Sequence, residues 1–281
     1  MARQLTVSML IAATVSAIVI FITASQYEKM FKYHYDDETS DSIIIPSADV
    51  LKAMTLMEIH NFYHSYVNSR QTLCRREVRI GQMKDGGWEV CEDAQYRPER
   101  PCLVYSFGIA EDFSFDDGIE KRYGCEVHSF DPTIEKPAHR RGNNVWFHPI
   151  GLGGVSREHK RGPMMTLGDL RETLNHTNRE IDIIKIDIEG MEWSSIPEML
   201  SGNALADVRQ LIIEFHSHRL HMEEDKKAKD NYIKFLLIFK QMYEAGYRIF
   251  QSTMNIYTIK RPEFANPYVS CQEISFVRKL T

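Results

Sequence analysis

The stretch that decides the fold is DIIKIDIEGMEW, residues 182–193. Its first half is rich in isoleucine and is followed by Gly190, which is typical of a buried strand that ends in a turn. Before that glycine, the stretch also carries four charged side chains, those of Asp182, Lys185, Asp187 and Glu189. Because buried charge is costly unless it is paired or used, we expect the last two to lie at the edge of a sheet, where a ligand could meet them.

Strands and helices alternate on both sides of this stretch. The segments CLVYSF, CEVHSFD, NVWFHPIG and RQLIIEFH are typical of buried strands, and residues 226–246 have the pattern of a long helix. Two closing strands, YRIFQSTMNIYTI and EISFVRKL, come last. The alternation predicts an α/β fold with a doubly wound, mostly parallel sheet that has helices on both faces.

The first hundred residues have another organisation. Residues 4–27 contain no charged side chain, and their apolar run of about 20 residues is long enough to cross a bilayer as a helix. We predict an N-terminal transmembrane anchor over residues 1–28 and a stem with one helix and a small hairpin over 29–98. The main domain would then span residues 99–281.

A cleaved signal peptide is the alternative to the anchor, and Ala24 and Ser25 are small enough to allow cleavage. The apolar part of a signal peptide usually spans only about 7–15 residues, so an uncleaved anchor is favoured. We therefore expect a single-pass membrane protein of the secretory pathway, or a secreted protein if the segment is removed. The charges around the segment do not determine its orientation.

The overall charge argues against a nucleic-acid partner. The chain has 34 lysine and arginine residues against 39 aspartate and glutamate residues, for a net charge of −5. No basic excess is present to bind a phosphate backbone. We predict a membrane partner through the N-terminal helix and a small-molecule or glycan acceptor instead.

The stem region gives two local predictions. Ser47 can cap a helix that runs to about Ser69, and residues 85–87 have the composition of a hairpin turn. Cys74 and Cys91 flank that hairpin, and a disulfide bond across it is plausible if the domain is lumenal. The alternative is five separate thiols, with Cys102 and Cys125 buried as small apolar side chains.

The first strand of the main domain ends in SFGIAED, and Gly108 allows a tight turn there. The next strand ends at Asp131, which lies 23 residues later, about where a nucleotide ribose is held by an acidic residue. The loop has a single glycine, whereas a pyrophosphate needs several close backbone amides. This favours S-adenosylmethionine over a dinucleotide, with the loop Gly151–Gly154 placed beside the adenine.

Four side chains at the strand ends are candidates for catalysis: Asp187, Glu189, Glu214 and His216. A hydroxyl acceptor would need a general base, and the ordinary pKa of histidine suits that role best. We assign no metal site, although Asp187, Glu189 and Glu214 offer oxygen ligands that suit magnesium.

Taken together, CLVYSFGIAEDFSFDD, GCEVHSFDPT, TLGDL, IDIIKIDIEGMEW and LIIEFH resemble the methyltransferase-like 24 family and, more distantly, the FkbM-type methyltransferases. The resemblance covers about residues 70–281. It implies a class I, seven-stranded, Rossmann-like methyltransferase fold that uses S-adenosylmethionine and ends in an antiparallel hairpin. It also implies a membrane-anchored or secreted protein. Carried over by position, Phe107, Gly108, Ile109 and Asp131 match the cofactor loop and the ribose carboxylate, and Asp187 and Glu189 match the motif near the methyl group. With Ser106 and Gly151 at the strand ends, the predicted cofactor-binding residues are Ser106, Phe107, Gly108, Ile109, Asp131, Gly151 and Asp187.

We therefore expect an S-adenosylmethionine-dependent methyltransferase that methylates a hydroxyl of a sugar or another small acceptor. A non-catalytic, membrane-anchored binding protein that retains the fold is the main alternative. A nicotinamide oxidoreductase is disfavoured because the loop lacks the glycines that a pyrophosphate needs.

Overall fold

A computed structural model describes residues 43–83, 86–217, 224–255, 259–260 and 268–279. The proposed anchor lies outside these residues. Ser42–Thr281 form one compact unit. Among the described helices, none combines the length and apolar character that a membrane crossing requires.

The described helices are α1 (Ala48–Ala53), α2 (Leu56–Val67), α3 (Ser114–Tyr123), α4 (Leu167–Thr173), α5 (Glu192–Ser201) and α6 (Asp225–Glu244). The first eight strands are β1 (Glu77–Gly81), β2 (Gly87–Cys91), β3 (Leu103–Phe107), β4 (Glu126–Phe130), β5 (His139–Arg140), β6 (Val145–His148), β7 (Gly151–Leu152) and β8 (Met164–Met165). The remaining strands are β9 (Ile181–Ile186), β10 (Val208–His216), β11 (Tyr247–Met254), β12 (Ile259–Lys260), β13 (Tyr268–Val269) and β14 (Cys271–Arg278).

The main sheet has the order β11-β14-β10-β9-β3-β4-β6-β5. Strands β10, β9, β3, β4 and β6 are parallel, and β14 pairs antiparallel with both β10 and β11. The predicted doubly wound sheet with a closing antiparallel hairpin is confirmed, with the two-residue strand β5 added at one edge. The strand order reverses between β3 and β9, so their carboxyl ends form the crevice in which such sheets bind ligands.

Burial explains why these central strands are apolar along their whole length. Every residue of β3 and of β9 is buried, as expected for strands with helices on both faces. Helix α2 packs its aromatic face against α6, where Tyr63 contacts the ring of Phe239. The β1–β2 hairpin is fixed to the sheet by Gln210, whose amide bonds to the backbone N–H and C=O of Cys91.

The helix predicted from Ser47 to Ser69 is wrong in one respect, because the structure has two helices there. Helix α1 ends at Met54, which has extended backbone angles, and Thr55 starts α2. The Thr55 hydroxyl accepts a bond from the Glu58 N–H, while the Glu58 carboxylate accepts one from the Thr55 N–H. This capping box satisfies backbone donors that a continuous helix would have bonded internally.

Two disulfide bonds join parts of the chain. Cys74 and Cys91 are bonded across the hairpin, as the sequence suggested for a lumenal domain. The interpretation of Cys102 and Cys125 as separate thiols is wrong, because these two are also bonded. They immediately precede the parallel strands β3 and β4, which places their Cα atoms 4.7 Å apart. Cys271 is buried and belongs to neither disulfide bond.

Candidate active site

Four chain turns meet at the carboxyl edge of the sheet. They follow β3 at Gly108, β4 at Asp131, β9 at Asp187 and β10 at His216. The parallel register brings them together, because the last residue of β3 pairs with the last residues of β4 and β9. The structure therefore groups the predicted site residues at one edge, where the strand order reverses.

Gly108 is glycine because the loop after β3 packs tightly on the turn after β9. Its φ angle is 71°, and a Cβ atom at this position would lie 1.6 Å from the Asp187 carbonyl oxygen. The Gly108 N–H donates to the Phe130 carbonyl at 2.8 Å, and the Asp187 N–H donates to the Phe107 carbonyl at 3.1 Å. The glycine thus joins three strand ends rather than only clearing space for a ligand.

Lys185 holds the same loop from within the sheet. Its ammonium group donates to the carbonyl oxygens of Phe107 and Gly108 at 3.2 and 2.7 Å, and it lies 3.9 Å from a carboxylate oxygen of Asp187. The side chain is buried, with the ring of Trp88 4.9 Å from the ammonium. These bonds make Lys185 a positioning residue for the loop, a role that was not predicted from the sequence.

Ser106 lies beneath the loop and away from its open side. It is buried and pairs across the sheet with Lys185 and Ser129. Asp116 of α3 faces this layer, and burial raises the pKa of its carboxyl to about 6, although Ser106 and Lys185 oppose the shift. Phe107 is equally buried and stacks on Phe130. The side chains of Ser106 and Phe107 therefore support the loop instead of lining it.

The carboxylate of Asp131 fixes the conformation of the loop after β3. One carboxylate oxygen accepts the Ala110 N–H at 2.9 Å, and the other accepts from the N–H and hydroxyl of Thr133 at 2.8 and 2.6 Å. Ala110 and Glu111 have φ angles of 43° and 67°, which are strained for residues with a side chain. Such strain is concentrated at binding sites, which supports a functional role for the loop.

Ile109 and Gly151, the other predicted cofactor residues, are both buried. Ile109 belongs to a small apolar cluster beside the loop, with Phe113, Ile134 and Phe147. Gly151 begins β7, where a Cβ atom would lie 2.4 Å from the sulfur of Met164. Both residues shape the rim of the crevice through packing.

His216 lies between two carboxylates of the KIDIEG turn. Its Nε2 atom is 3.6 Å from an oxygen of Asp187 and 4.0 Å from one of Glu189. Glu189 reaches this position because its φ angle is 56°, so the turn and not strand alternation brings the two carboxylates together. On the other side, His216 Nδ1 bonds at 2.9 Å to Glu192, which also accepts the Ile188 N–H.

Glu192 was not predicted as a site residue, although it belongs to the stretch of residues 182–193. It is fully buried at the start of α5, and this burial is only evident once the helix packs on β10. Glu192 fixes the orientation of the imidazole ring of His216. It is the residue that makes His216 face Asp187 and Glu189.

The environment of His216 argues against its predicted role as the base. Burial would lower its pKa, but hydrogen bonds to Cys271 and Glu192 and the charges of Glu192 and Glu214 raise it to about 11. At neutral pH the ring is therefore an imidazolium, which donates but cannot accept a proton. Burial raises the pKa of Asp187, although Lys185 and His216 oppose this, so Asp187 is the better base.

In the part of the chain that the structure describes, the carboxylate of Glu214 is grouped with His216 and Cys271 and not with Asp187. It is buried, and the Asn255 amide donates to it at 3.5 Å. Among the described residues, ligand atoms of Asp187, Glu189 and His216 lie within 4.8 Å of one another, and so do those of Glu214, His216 and Cys271. The magnesium ligands considered from sequence, which included Glu214 and not His216, are thus not the set that the fold assembles.

An open cleft of about 390 Å³ lies next to the turn after β9. Its lining includes Gly154 from the loop after β7, and Met191 and Ser194 from the start of α5. A larger recess of about 500 Å³ lies between the β1–β2 hairpin and α3. Neither lining includes a predicted cofactor-binding or catalytic residue, but the first cleft borders the loop Gly151–Gly154 and the turn after β9.

Comparison with known proteins gives a family match. A family described as "Methyltransferase domain" matches residues 29–269. The human protein "Probable methyltransferase-like protein 24" is 24% identical over 203 residues, which cover 66% of this chain and 55% of that protein. The chain therefore spans about half the length of this relative.

Solved structures show weaker likenesses. The Methanococcus jannaschii fibrillarin pre-rRNA processing protein is 12% identical, with a TM-score of 0.37, and the match covers 65% of this chain and 69% of that one. A plantazolicin methyltransferase in complex with SAH is 11% identical, with a TM-score of 0.34, over 64% of this chain and 77% of that one. The fold assignment rests on the strand order and the family match rather than on these scores.

Proposed function

Because the chain belongs to the family of methyltransferase domains, we propose that it transfers a methyl group from S-adenosylmethionine at the carboxyl edge of the sheet. The observation that carries this proposal is the meeting of the Gly108 loop, Asp131 and the KIDIEG turn at the reversal of strand order. The Gly108 loop has a single glycine. A pyrophosphate needs several close backbone amides, whereas a nucleoside cofactor does not.

The cofactor is held by the strained loop and by Asp131. We propose that the ribose hydroxyls take over the carboxylate of Asp131 from the Ala110 N–H, which it binds at 2.9 Å. The loop conformation supports this exchange, because the left-handed backbone at Ala110 and Glu111 stores strain next to the carboxylate. Lys185 keeps the start of the loop in place through the Phe107 and Gly108 carbonyls.

The acceptor is a hydroxyl of a sugar or another small molecule. Methyl transfer is an in-line displacement, so alignment of the acceptor with the methyl group supplies much of the catalysis. Asp187 takes the hydroxyl proton, because its raised pKa makes it a stronger base than an ordinary aspartate. The His216 imidazolium, fixed by Glu192, orients Asp187 and Glu189.

We also propose that the domain acts in an oxidising compartment. The two disulfide bonds, Cys74–Cys91 and Cys102–Cys125, support this location, since such bonds rarely persist in the cytosol. The apolar segment 4–27 would anchor the protein there or direct its secretion. Because S-adenosylmethionine is made in the cytosol, it would have to be imported into that compartment to reach a lumenal domain.

Methyl transfer itself is the test of the proposed function. The purified full chain would be incubated with methyl-labelled S-adenosylmethionine and a panel of sugars and other small hydroxylated acceptors. We expect labelled product with the wild type and at least a hundredfold slower transfer with Asp187→Asn when S-adenosylmethionine is saturating. Glu180→Gln is the matched control, because Glu180 is an exposed carboxylate at the opposite edge of the sheet.

Cofactor binding with no transfer to any acceptor would instead favour the non-catalytic binding protein. Equal rates for the wild type and Asp187→Asn would contradict the assignment of the base while leaving the activity in place.

A further inference from the structure

A second cluster of ionisable side chains lies along β4 and β6, outside the set of residues assigned to the candidate active site. This histidine cluster consists of Glu126, His128, His148 and His176. Glu126 and His128 belong to β4, His148 ends β6, and His176 lies in the turn between α4 and β9. The cluster has no part in the proposed methyl transfer.

Three atoms of the cluster converge as metal ligands do. An oxygen of Glu126 is 2.9 Å from His128 Nε2 and 3.4 Å from His176 Nε2, and ligand atoms of these three residues all lie within 4.8 Å of one another. Zinc binds imidazole nitrogen and carboxylate oxygen at about 2.0–2.2 Å, so one ion can bridge donor atoms this close together. It would replace the proton of the hydrogen bond between Glu126 and His128.

The outer nitrogen of each imidazole ring already has a partner. His128 Nδ1 is hydrogen-bonded to His148 Nε2 at 2.8 Å, and His176 Nδ1 to the Tyr105 hydroxyl at 2.7 Å. In metal sites, partners of this kind fix the ring orientation and leave the other nitrogen for the metal. The fold thus supplies the ligands together with the groups that orient them.

The protonation of His176 can be worked out from Arg179. The Arg179 guanidinium lies 3.1 Å from His176 Nε2, and a guanidinium can only donate. His176 Nε2 is therefore the acceptor, so its proton is on Nδ1 and its lone pair is directed at Arg179. This is the tautomer that binds a metal ion through Nε2.

The imidazole rings of His128 and His176 are buried, while one side of the histidine cluster is open to solvent. His128 and His176 are each 6% exposed, and Trp146 stacks on His128 with an angle of 12° between the rings. Glu126 and Arg179 are about one-third exposed, so an ion can reach the cluster from their side.

We propose that Glu126, His128 and His176 bind a divalent transition-metal ion, with zinc as the expected ion. Two imidazole ligands and one carboxylate with an open fourth position are a common zinc arrangement. Arg179 bonds to the other oxygen of Glu126 at 2.8 Å, so it is the cation that this site holds when no metal is bound. The metal would displace Arg179 toward solvent.

Cobalt binding to the tag-free full chain tests the proposal, because cobalt in a zinc site gives visible absorption bands. We expect a saturable spectrum at one ion per chain, lost in His176→Asn and His128→Asn. Arg179→Gln should bind at least as tightly, since the competing cation is gone. Two controls should keep the spectrum: His139→Asn, at an exposed histidine, and His216→Asn, which removes the ligand set of the active-site edge.

Thermal unfolding with and without zinc gives a second readout, because an ion that binds only the folded state raises its melting temperature. We expect the rise in the wild type and Arg179→Gln but not in His176→Asn. The proposal is overturned if the wild type gives neither spectrum nor rise, or if His216→Asn and not His176→Asn abolishes them. Arg179→Gln keeps the test informative if the histidine variants do not fold.

Discussion

Gly108 connects the sequence motif to the geometry of the site. Both the sequence and the structure require glycine there, but for different reasons. The sequence suggested a tight turn near a ligand, whereas the structure shows that a side chain would collide with the Asp187 carbonyl at 1.6 Å. The cofactor loop and the KIDIEG turn are therefore one packed unit, and a change in either should affect both.

Gly108→Ala should lower the free energy of unfolding by about 2 kcal/mol or more, because it combines a backbone collision with a left-handed φ angle. It should also weaken binding of S-adenosylmethionine. Gly142→Ala is the matched control, since the nearest atoms to its Cβ would be those of Val145 at 3.9 Å. Urea unfolding of both variants measures the effect, and equal stabilities would contradict the packing argument.

The residue scale is also where sequence reasoning reached its limit. Asp187, Glu189 and His216 were predicted as neighbours, and the structure brings them together. The roles of Glu192 and Lys185 were not predicted, because each depends on contacts with an element distant in the chain. No local pattern reports a buried carboxylate beneath a histidine 24 residues away.

At the scale of elements, glycine and capping residues mark where individual helices begin and end. The predicted long helix stops at Gly246, whose φ angle of 96° explains why a glycine ends that segment. The stem helix was predicted as one because the spacing of its apolar residues continues through Met54. The Thr55–Glu58 capping box divides it, since its two side-chain bonds favour a new helix start.

Thr55→Ala should therefore destabilise the protein by about 1 kcal/mol, the usual cost of losing an N-cap. Ser47→Ala is the control, because Ser47 precedes α1 without a capping bond from its side chain. Thermal or urea unfolding of the two variants compares a used and an unused cap on adjacent helices. The capping argument would be contradicted if Ser47→Ala cost as much as Thr55→Ala.

For the whole molecule, the mostly parallel arrangement of the main sheet followed from the alternation of strands and helices. The pairing of Cys102 with Cys125 did not, because their proximity arises only when β3 and β4 lie side by side. The same is true of the histidine cluster, which joins two strands and a turn. Long-range pairings of this kind leave no periodic pattern in the sequence.

Buried histidines should make the folded protein sensitive to acid. Burial and His60 lower the pKa of His64 to about 3, whereas a histidine in the unfolded chain binds a proton near pH 6.5. As the pH falls from 7 to 5, the unfolded state gains a proton that the folded state does not. Stability is thus lost on acidification, by about 2 kcal/mol at pH 5 for one such group.

His64→Phe should remove this contribution, so its free energy of unfolding should change less between pH 7 and pH 5 than that of the wild type. The comparison is needed because Asp116, whose raised pKa favours the folded state at lower pH, acts in the opposite direction. Urea unfolding at the two pH values gives the difference. Parallel pH dependence in the two proteins would show that His64 is protonated alike in both states.

Calorimetric titration of the full chain with S-adenosylmethionine tests the assignment of the cofactor site most directly. We predict micromolar binding by the wild type, at least tenfold weaker binding by Asp131→Asn, and unchanged binding by Glu180→Gln. A folded wild-type protein that does not bind the cofactor, or an Asp131→Asn variant that binds as tightly as the wild type, would contradict the assignment.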